Sequence, residues 1–198
     1  MINYDLKKIK ALVFDVDGVL SKGMVRVDAE GNLVRTTHTK DAYALRLASM
    51  LGLRVAIITG AYEERIRHRY EALGVSDVFL SSSVKTECMQ TLLDKYGLKP
   101  DEVLYMGDDI PDYRVMQQIG LPCCPRDAAP EIRDISLYIS HLDGGQGAVP
   151  GGLQDVAYRG FCRQDVEIHT AKLNAVLQKN AFSAGKFSNM MGPINNNL

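Results

Sequence analysis

Long apolar runs are missing from this chain of 198 residues, and so is any imbalance of charge. No stretch is apolar for long enough to cross a bilayer, so no membrane partner is expected. The opening Met1-Ile2-Asn3-Tyr4-Asp5 lacks the pattern of a secretory signal. With 23 Lys and Arg against 24 Asp and Glu, the formal net charge is -1. Such a chain has no global field for a polyanion, and no basic surface laced with aromatics stands out, so nucleic acid is not an expected partner. Cysteine is scarce: Cys88, Cys123, Cys124 and Cys162 form no C-x-x-C and have no histidine cluster beside them, which argues against zinc. Thiols without a secretion signal predict a cytoplasmic protein. What remains, 46% hydrophobic and 24% charged, is the composition of an ordinary globular domain.

Short, almost wholly apolar runs recur along the chain. Leu12–Phe14, Val55–Ile58, Val78–Leu80 and Val103–Met106 read as strands buried on both faces. Between them, Leu45, Ala48 and Leu51 share one helical face, and Ile66, Tyr70 and Leu73 share another. Gly74 stops the second of these helices, and Gly97 with Pro100 closes a third that follows Lys85. Asp109-Ile110-Pro111-Asp112 carries the signals of a helix start, with Gly120 after its end. The alternation predicts an α/β fold with a doubly wound parallel sheet. One segment interrupts it: Met24–Asp28 and Leu33–Thr37 alternate around Ala29-Glu30-Gly31-Asn32, which predicts a projecting β-hairpin. Its open edges suit the pairing of subunits. After Gly152 the texture changes to one helix over Gln164–Gln178 and then an aperiodic, mobile tail from Asn180. Residues 1–150 therefore read as one domain and 151–198 as a separate C-terminal segment.

Chemistry-bearing residues fall where the predicted strands end. In Phe14-Asp15-Val16-Asp17-Gly18-Val19-Leu20 the two aspartates are two apart, so on extended chain their carboxylates face the same way. Thr59-Gly60 follows the second strand, Lys85 opens the helix after the third, and Gly107-Asp108-Asp109 follows the fourth with Asp112 one turn on. In an open α/β sheet the carboxyl ends of the strands border the ligand crevice, so these groups should converge. Each alone has a plainer explanation as an Asp-rich turn, a threonine cap or a solvated lysine. Together they call for a cation to compensate their desolvation, and an oxygen-only donor set suits Mg²⁺.

Phosphoryl transfer asks a protein mainly for positioning and charge neutralisation, which this set supplies. The expected nucleophile is Asp15, forming an aspartyl-phosphate. Asp17 would protonate the leaving oxygen and then take a proton from water. Thr59 would bond a phosphate oxygen and Lys85 would pair with its charge. The expected metal ligands are Asp15, Asp108 and the backbone carbonyl of Asp17, with Asp109 and Asp112 orienting them.

From Lys10 to about Gly120 these elements resemble the haloacid dehalogenase superfamily. The intervals between them leave no room for a cap domain, so the resemblance is to capless members. Phe14–Ser21, Ala56–Gly60, Tyr105–Asp112 and Gly144–Val149 narrow it to the phosphatases of 3-deoxy-manno-octulosonate 8-phosphate. That resemblance implies a Mg²⁺-dependent phosphatase of a small sugar-acid phosphate. It also implies a homotetramer, with hairpins at its centre and a neighbour's segment closing each site. Finally, it implies that His38, Thr39, Lys40, Asp41, Ala42, Arg46 and Arg69, together with Asp17, Gly60 and Lys85, meet the substrate.

Departures from the family keep other readings open. The family usually has Asn-Val-Arg-Asp-Gly where this chain has His38-Thr39-Lys40-Asp41-Ala42, and Arg where it has Ala61. Lys40 keeps the charge without the two-pronged fork, and Ala61 loses both, which leaves Arg65 or Arg67 to compensate. After Val149 the family continues into a final helix that Pro150-Gly151-Gly152 discourages here. The alternatives are a nine-carbon, sialic-type sugar acid 9-phosphate as substrate, a weakly active or non-catalytic relative, and a receiver-type phosphoacceptor. Against the receiver stands the placement of both early aspartates on one strand. His68 and His141 read as surface residues, and Cys123-Cys124 as small apolar groups packed beside Leu121.

Overall fold

The computed structural model describes residues 4–149. The chain runs through β1 (Ala11–Phe14), a hairpin of β2 (Arg26–Val27) and β3 (Leu33–Val34), then α1 (Thr39–Met50), β4 (Arg54–Ile58) and α2 (Glu64–Glu71). It continues through β5 (Asp77–Phe79), α3 (Lys85–Tyr96), β6 (Val103–Met106), α4 (Ile110–Met116), β7 (Leu121–Cys124), α5 (Pro130–Ile135) and β8 (Tyr138–Ile139). Six strands form one sheet in the order β5-β4-β1-β6-β7-β8, every pairing parallel, while β2 and β3 make a separate antiparallel pair. The expected parallel α/β architecture is present, and the hairpin stands outside it.

Burial explains why the strand sequences look as they do. All four residues of β1 are buried, because the strand is central and covered on both faces. Ala11, Val13, Ala56, Ile58 and Tyr105 pack on one side with Met89 and Leu92 of α3, Val115 and Met116 of α4 and Ile132 of α5. The alternate residues Leu12, Phe14, Val55 and Ile57 point to the opposite face. There α1 contacts β4 and α2 contacts β5. Helix ends follow the expected signals: Gly97 caps α3 in the left-handed conformation, and Asp109 caps α4 with Pro111 in its first turn.

The order of strands places the site. Proceeding from β1, the chain turns to one side for β4 and β5 and then returns to the other for β6, so the crevice opens at the carboxyl end of β1. Three elements escape the sequence patterns: β7, α5 and β8. Pro122 in β7 withholds a donor from a strand flanked on both sides, and β8 has only two residues, so neither carries a strand signature. As expected, Cys123 and Cys124 are buried. The predicted helix over Gln164–Gln178, the tail beyond it and the whole of 151–198 lie outside the described residues.

Candidate active site

Pairing of Phe14 with Ile57 on one side and Met106 on the other brings three strand ends level. Asp15, Thr59 and Asp108 therefore leave the sheet side by side, and Lys85 enters from the first position of α3. The Lys85 ammonium lies 3.1 Å from Asp15 Oδ2 and donates to Asp112 Oδ1 at 2.7 Å. Asp112 is held further: the Tyr105 hydroxyl donates to its Oδ1 at 2.6 Å, and the Asp108 amide donates to its Oδ2 at 3.2 Å. Asp112, expected as an orienting group, accepts hydrogen bonds from Lys85, Tyr105 and the Asp108 amide and also belongs to the carboxylate cluster. Asp15, Asp108 and Asp112 each offer an oxygen within 4.8 Å of the others.

This arrangement has three carboxyl groups and one ammonium. Burial, the Asp112 charge and Lys85 act together on Asp15, and the net effect pushes its pKa up to about 6. Burial and the charges of Asp15 and Asp112 push Asp108 up to about 8. For Lys85, burial disfavours its charge, but the two carboxylates outweigh this and raise its pKa as well, which keeps it charged. Asp15 Oδ1 is buried with no hydrogen-bond partner, an acceptor left free in a crowd of acceptors. Oxygen donors so placed, with one lone pair unclaimed, fit a hard divalent cation such as Mg²⁺.

Glycines make the crowding possible. At Gly18, φ is +86°, and a Cβ would lie 1.8 Å from Asp108 Oδ2; only glycine both makes this turn and leaves room for that carboxylate. A Cβ on Gly144 would lie 1.8 Å from the Gly18 carbonyl oxygen, and the Gly145 amide donates to the Val19 carbonyl at 2.8 Å. The Gly144–Val149 motif is therefore packed directly against the loop that carries the first two aspartates. Thr59 is buried, its Oγ1 accepting from the Ala61 amide at 3.2 Å. Asp109 is exposed and caps α4 by accepting from the Ile110 amide.

Arg35 and Glu63 adjoin the site, and the sequence alone does not single them out. The Arg35 Nε and Nη2 donate to the two oxygens of Asp17 at 2.8 and 3.0 Å, while Nη1 donates to Glu63 Oε1 at 2.7 Å. Burial works against the guanidinium charge, but the hydrogen bonds to Asp17 and Glu63 hold it protonated. Nothing local in the sequence links these three, which come from a turn, a hairpin and a helix cap.

The residues implied to meet substrate are spread more widely. Arg69, with Arg35 and Arg65, lines a cavity of about 230 Å³ between the hairpin and α2, whose walls include Val16, Leu33 and Tyr70. Of the two candidates to compensate for Ala61, Arg65 lines this cavity and Arg67 does not: it is engaged by Glu64 and the Val78 carbonyl. His38 caps α1 by accepting from the Lys40 amide, and Thr39, Lys40, Arg46 and Gly60 are exposed. Ala42 is half-buried. Asp41 is buried, and its Oδ1 accepts from the Val149 amide at 3.2 Å while Oδ2 has no partner. Burial, opposed by that bond, moves its pKa up to about 6. Asp41 thus ties α1 to the Gly144–Val149 segment.

Comparison with known proteins agrees with this geometry. The haloacid dehalogenase-like hydrolase family matches residues 39–120. The 3-deoxy-D-manno-octulosonate 8-phosphate phosphatase of Salmonella typhi is 35% identical over 143 residues, covering 72% of this chain and 76% of the relative. The chain belongs to this phosphatase family of haloacid dehalogenase-like hydrolases. Among solved structures, a haloacid dehalogenase subfamily III A hydrolase from Legionella pneumophila superposes with a TM-score of 0.79 at 34% identity, covering 85% of this chain and 92% of its own. The phosphatase of Moraxella catarrhalis, solved with a magnesium ion, a phosphate ion and 3-deoxy-D-manno-octulosonate, gives 0.74 at 29% identity, with 77% and 87% covered. Membership of the phosphatase family removes the receiver-type alternative. Among the described residues no helix is long and apolar enough to cross a membrane.

Two outcomes follow from the cluster. In the cation-free phosphatase, Asp108 and Asp15 hold protons that the unfolded chain, with ordinary values of 3.8, has released, so stability falls as pH rises from about 4 to about 8. Asp41 adds to that fall but stands outside the carboxylate cluster that could hold Mg²⁺. The increase in Tm on adding Mg²⁺ should therefore grow between about pH 5 and about pH 8.5; an equal shift at both ends would contradict the cluster as its cause. Gly18→Ala should displace the Asp108 carboxylate and weaken Mg²⁺ binding by about tenfold or more in calorimetric titration.

Proposed function

We propose that the chain hydrolyses the phosphate monoester of 3-deoxy-D-manno-octulosonate 8-phosphate, releasing the sugar acid and inorganic phosphate. The observation that carries this reading is the meeting of Asp15, Lys85, Asp108 and Asp112, together with a largely apolar cavity whose lining includes Arg65 and Arg69. A phosphate ester suits the first group, and the carboxylate of a sugar acid suits the second.

The carboxylates of Asp15 and Asp108 and the Asp17 backbone carbonyl would hold Mg²⁺, which would neutralise the phosphate charge. The Asp15 carboxylate attacks phosphorus and forms an Oδ–P bond as the bond from phosphorus to the sugar oxygen breaks. Asp17 gives its proton to that departing oxygen. In the second half, water attacks phosphorus and hands a proton back to Asp17, freeing Asp15 and inorganic phosphate. Lys85 sits against Asp15, where its ammonium faces the transferred group, and Thr59 offers its hydroxyl from the neighbouring strand end. Asp112 holds Lys85, and Asp109 secures the start of α4.

The assembly is a homotetramer centred on the hairpins. Support comes from the hairpin segment itself, where Met24, Val27 and Val34 expose 87%, 64% and 38% of their surfaces to solvent. The location is cytoplasmic, in keeping with Cys88, Cys123 and Cys124 as free thiols.

A turnover panel tests the substrate: with Mg²⁺, the eight-carbon acid 8-phosphate should exceed both nine-carbon acid 9-phosphates and hexose phosphates in kcat/KM. Preference for either rival class would overturn the assignment. Asp15→Asn should abolish turnover, and Asp17→Asn should lower kcat by about 10²–10⁴. For the assembly, light scattering should find a tetramer that Val27→Asp breaks into smaller species; a monomeric parent protein would contradict it.

A further inference from the structure

The ion-paired group formed by Asp17, Arg35 and Glu63 is more elaborate than docking a hairpin requires. The Arg35 side chain is only 11% exposed, and its three partner oxygens all lie at 2.7–3.0 Å. A planar fork on both oxygens of one carboxylate fixes the plane of that carboxylate, whereas a single contact would let it rotate. Glu63 carries an independent sign of the same commitment. It occupies the cap position of α2 yet makes no side-chain bond to the helix, its carboxylate being turned to Arg35 instead. The second Glu63 oxygen is buried without a partner, so the residue gives up both a cap and a solvated oxygen to hold the guanidinium.

The group of three spans the site. Asp17 belongs to the loop after β1, Arg35 follows β3 of the hairpin, and Glu63 precedes α2. Strands of two residues do not hold a hairpin in place by themselves. Apart from Arg35, its recorded side-chain ties run from the Lys22 amide to Thr36 Oγ1 at 3.2 Å and from Arg65 to Asn32 Oδ1 at 3.3 Å, both exposed. We infer that Arg35, anchored by Glu63, is a positioning residue that aims the Asp17 carboxyl group for proton exchange with the leaving group and with water. Each carboxylate oxygen keeps a second lone-pair direction that the fork leaves open, and Asp17 is still one-third exposed, so substrate can reach it. The hairpin therefore acts on the chemistry through Arg35 without itself touching the phosphate. This inference rests on the reading of Asp17 as the proton donor and acceptor.

Leaving groups separate positioning from docking. A p-nitrophenolate departs without a proton, whereas an alkoxide needs one, so a misaimed Asp17 harms alkyl phosphates more. The measurement is kcat on p-nitrophenyl phosphate and on the alkyl phosphate the protein turns over fastest, for the parent, Arg35→Lys, Glu63→Gln and Asp17→Asn. Reading the ratio of the two substrates on one preparation cancels any difference in the fraction folded. Arg35→Lys and Glu63→Gln should raise the aryl-to-alkyl ratio of kcat by about tenfold, and Asp17→Asn should raise it further. Ratios unchanged from the parent in Arg35→Lys and Glu63→Gln, with Asp17→Asn raised, would overturn the role of Arg35 alone. An unchanged ratio in Asp17→Asn would overturn the proton-transfer reading on which it stands.

Discussion

Repulsion among Asp15, Asp108 and Asp112 is the constraint around which the rest of the domain is arranged. Three carboxyl groups within 4.8 Å of one another, facing one ammonium, leave the protein short of positive charge at its own catalytic edge. Such a deficit suits a divalent cation, the chemistry that these oxygen donors fit. A buried, evenly matched set of charges would be satisfied already and would have no use for a ligand. The sheet bears the cost because its own interior is apolar: every residue of β1 and β6 is buried, and the acids begin one residue beyond β1 and two beyond β6.

The hairpin has a different relation to the site from that of the sheet. Sheet register sets where Asp15 and Asp108 emerge, and packing on both faces makes that placement rigid. Asp17 is fixed laterally, through a guanidinium delivered by the hairpin and braced from α2. One aspartate of the pair is thus governed by the core and the other by an appended element. The turn of that appended element is itself secured by Asp28, whose carboxylate accepts from the Glu30 and Asn32 amides and the Asn32 side chain.

The residues that were legible in the sequence are those governed by local rules. The crevice rule for parallel sheets anticipates that Lys85 and Asp108 approach Asp15. The alternation expected of Asp15 and Asp17, in contrast, stops at Phe14, where the chain turns and Asp17 pairs with Arg35 outside the carboxylate cluster. The expected strands at Val55–Ile58 and Val103–Met106 agree with β4 and β6 to within a residue at each end. Arg35 and Glu63 were not legible because their partnership depends on how a hairpin folds back over a helix start, and neither residue type is unusual where it stands. Asp41 illustrates the opposite difficulty. Its family position suggests the substrate, and in the fold it lines a small cavity with His38 and Arg69 while also being bonded to the Val149 amide, a contact no spacing rule anticipates. Pro122 concealed β7 because propensity argues against proline in a flanked strand, and here tertiary context prevails.

Gly144 and Gly145 rest on the backbone of Gly18, Ser21 and Lys22, although every strand of the sheet except β1 lies between them in sequence. The loop bearing Asp15 and Asp17 precedes most of the described residues, but a wall of its shape comes from Gly144 and Gly145, far along the chain. Closing so long a span is slow, since its entropy must be lost before the contact returns anything. A nascent chain halted before the glycine motif would hold every acidic residue of the site and still lack the mould that shapes the first of them. The shape of the loop that carries Asp15 and Asp17 is therefore a property of the finished domain.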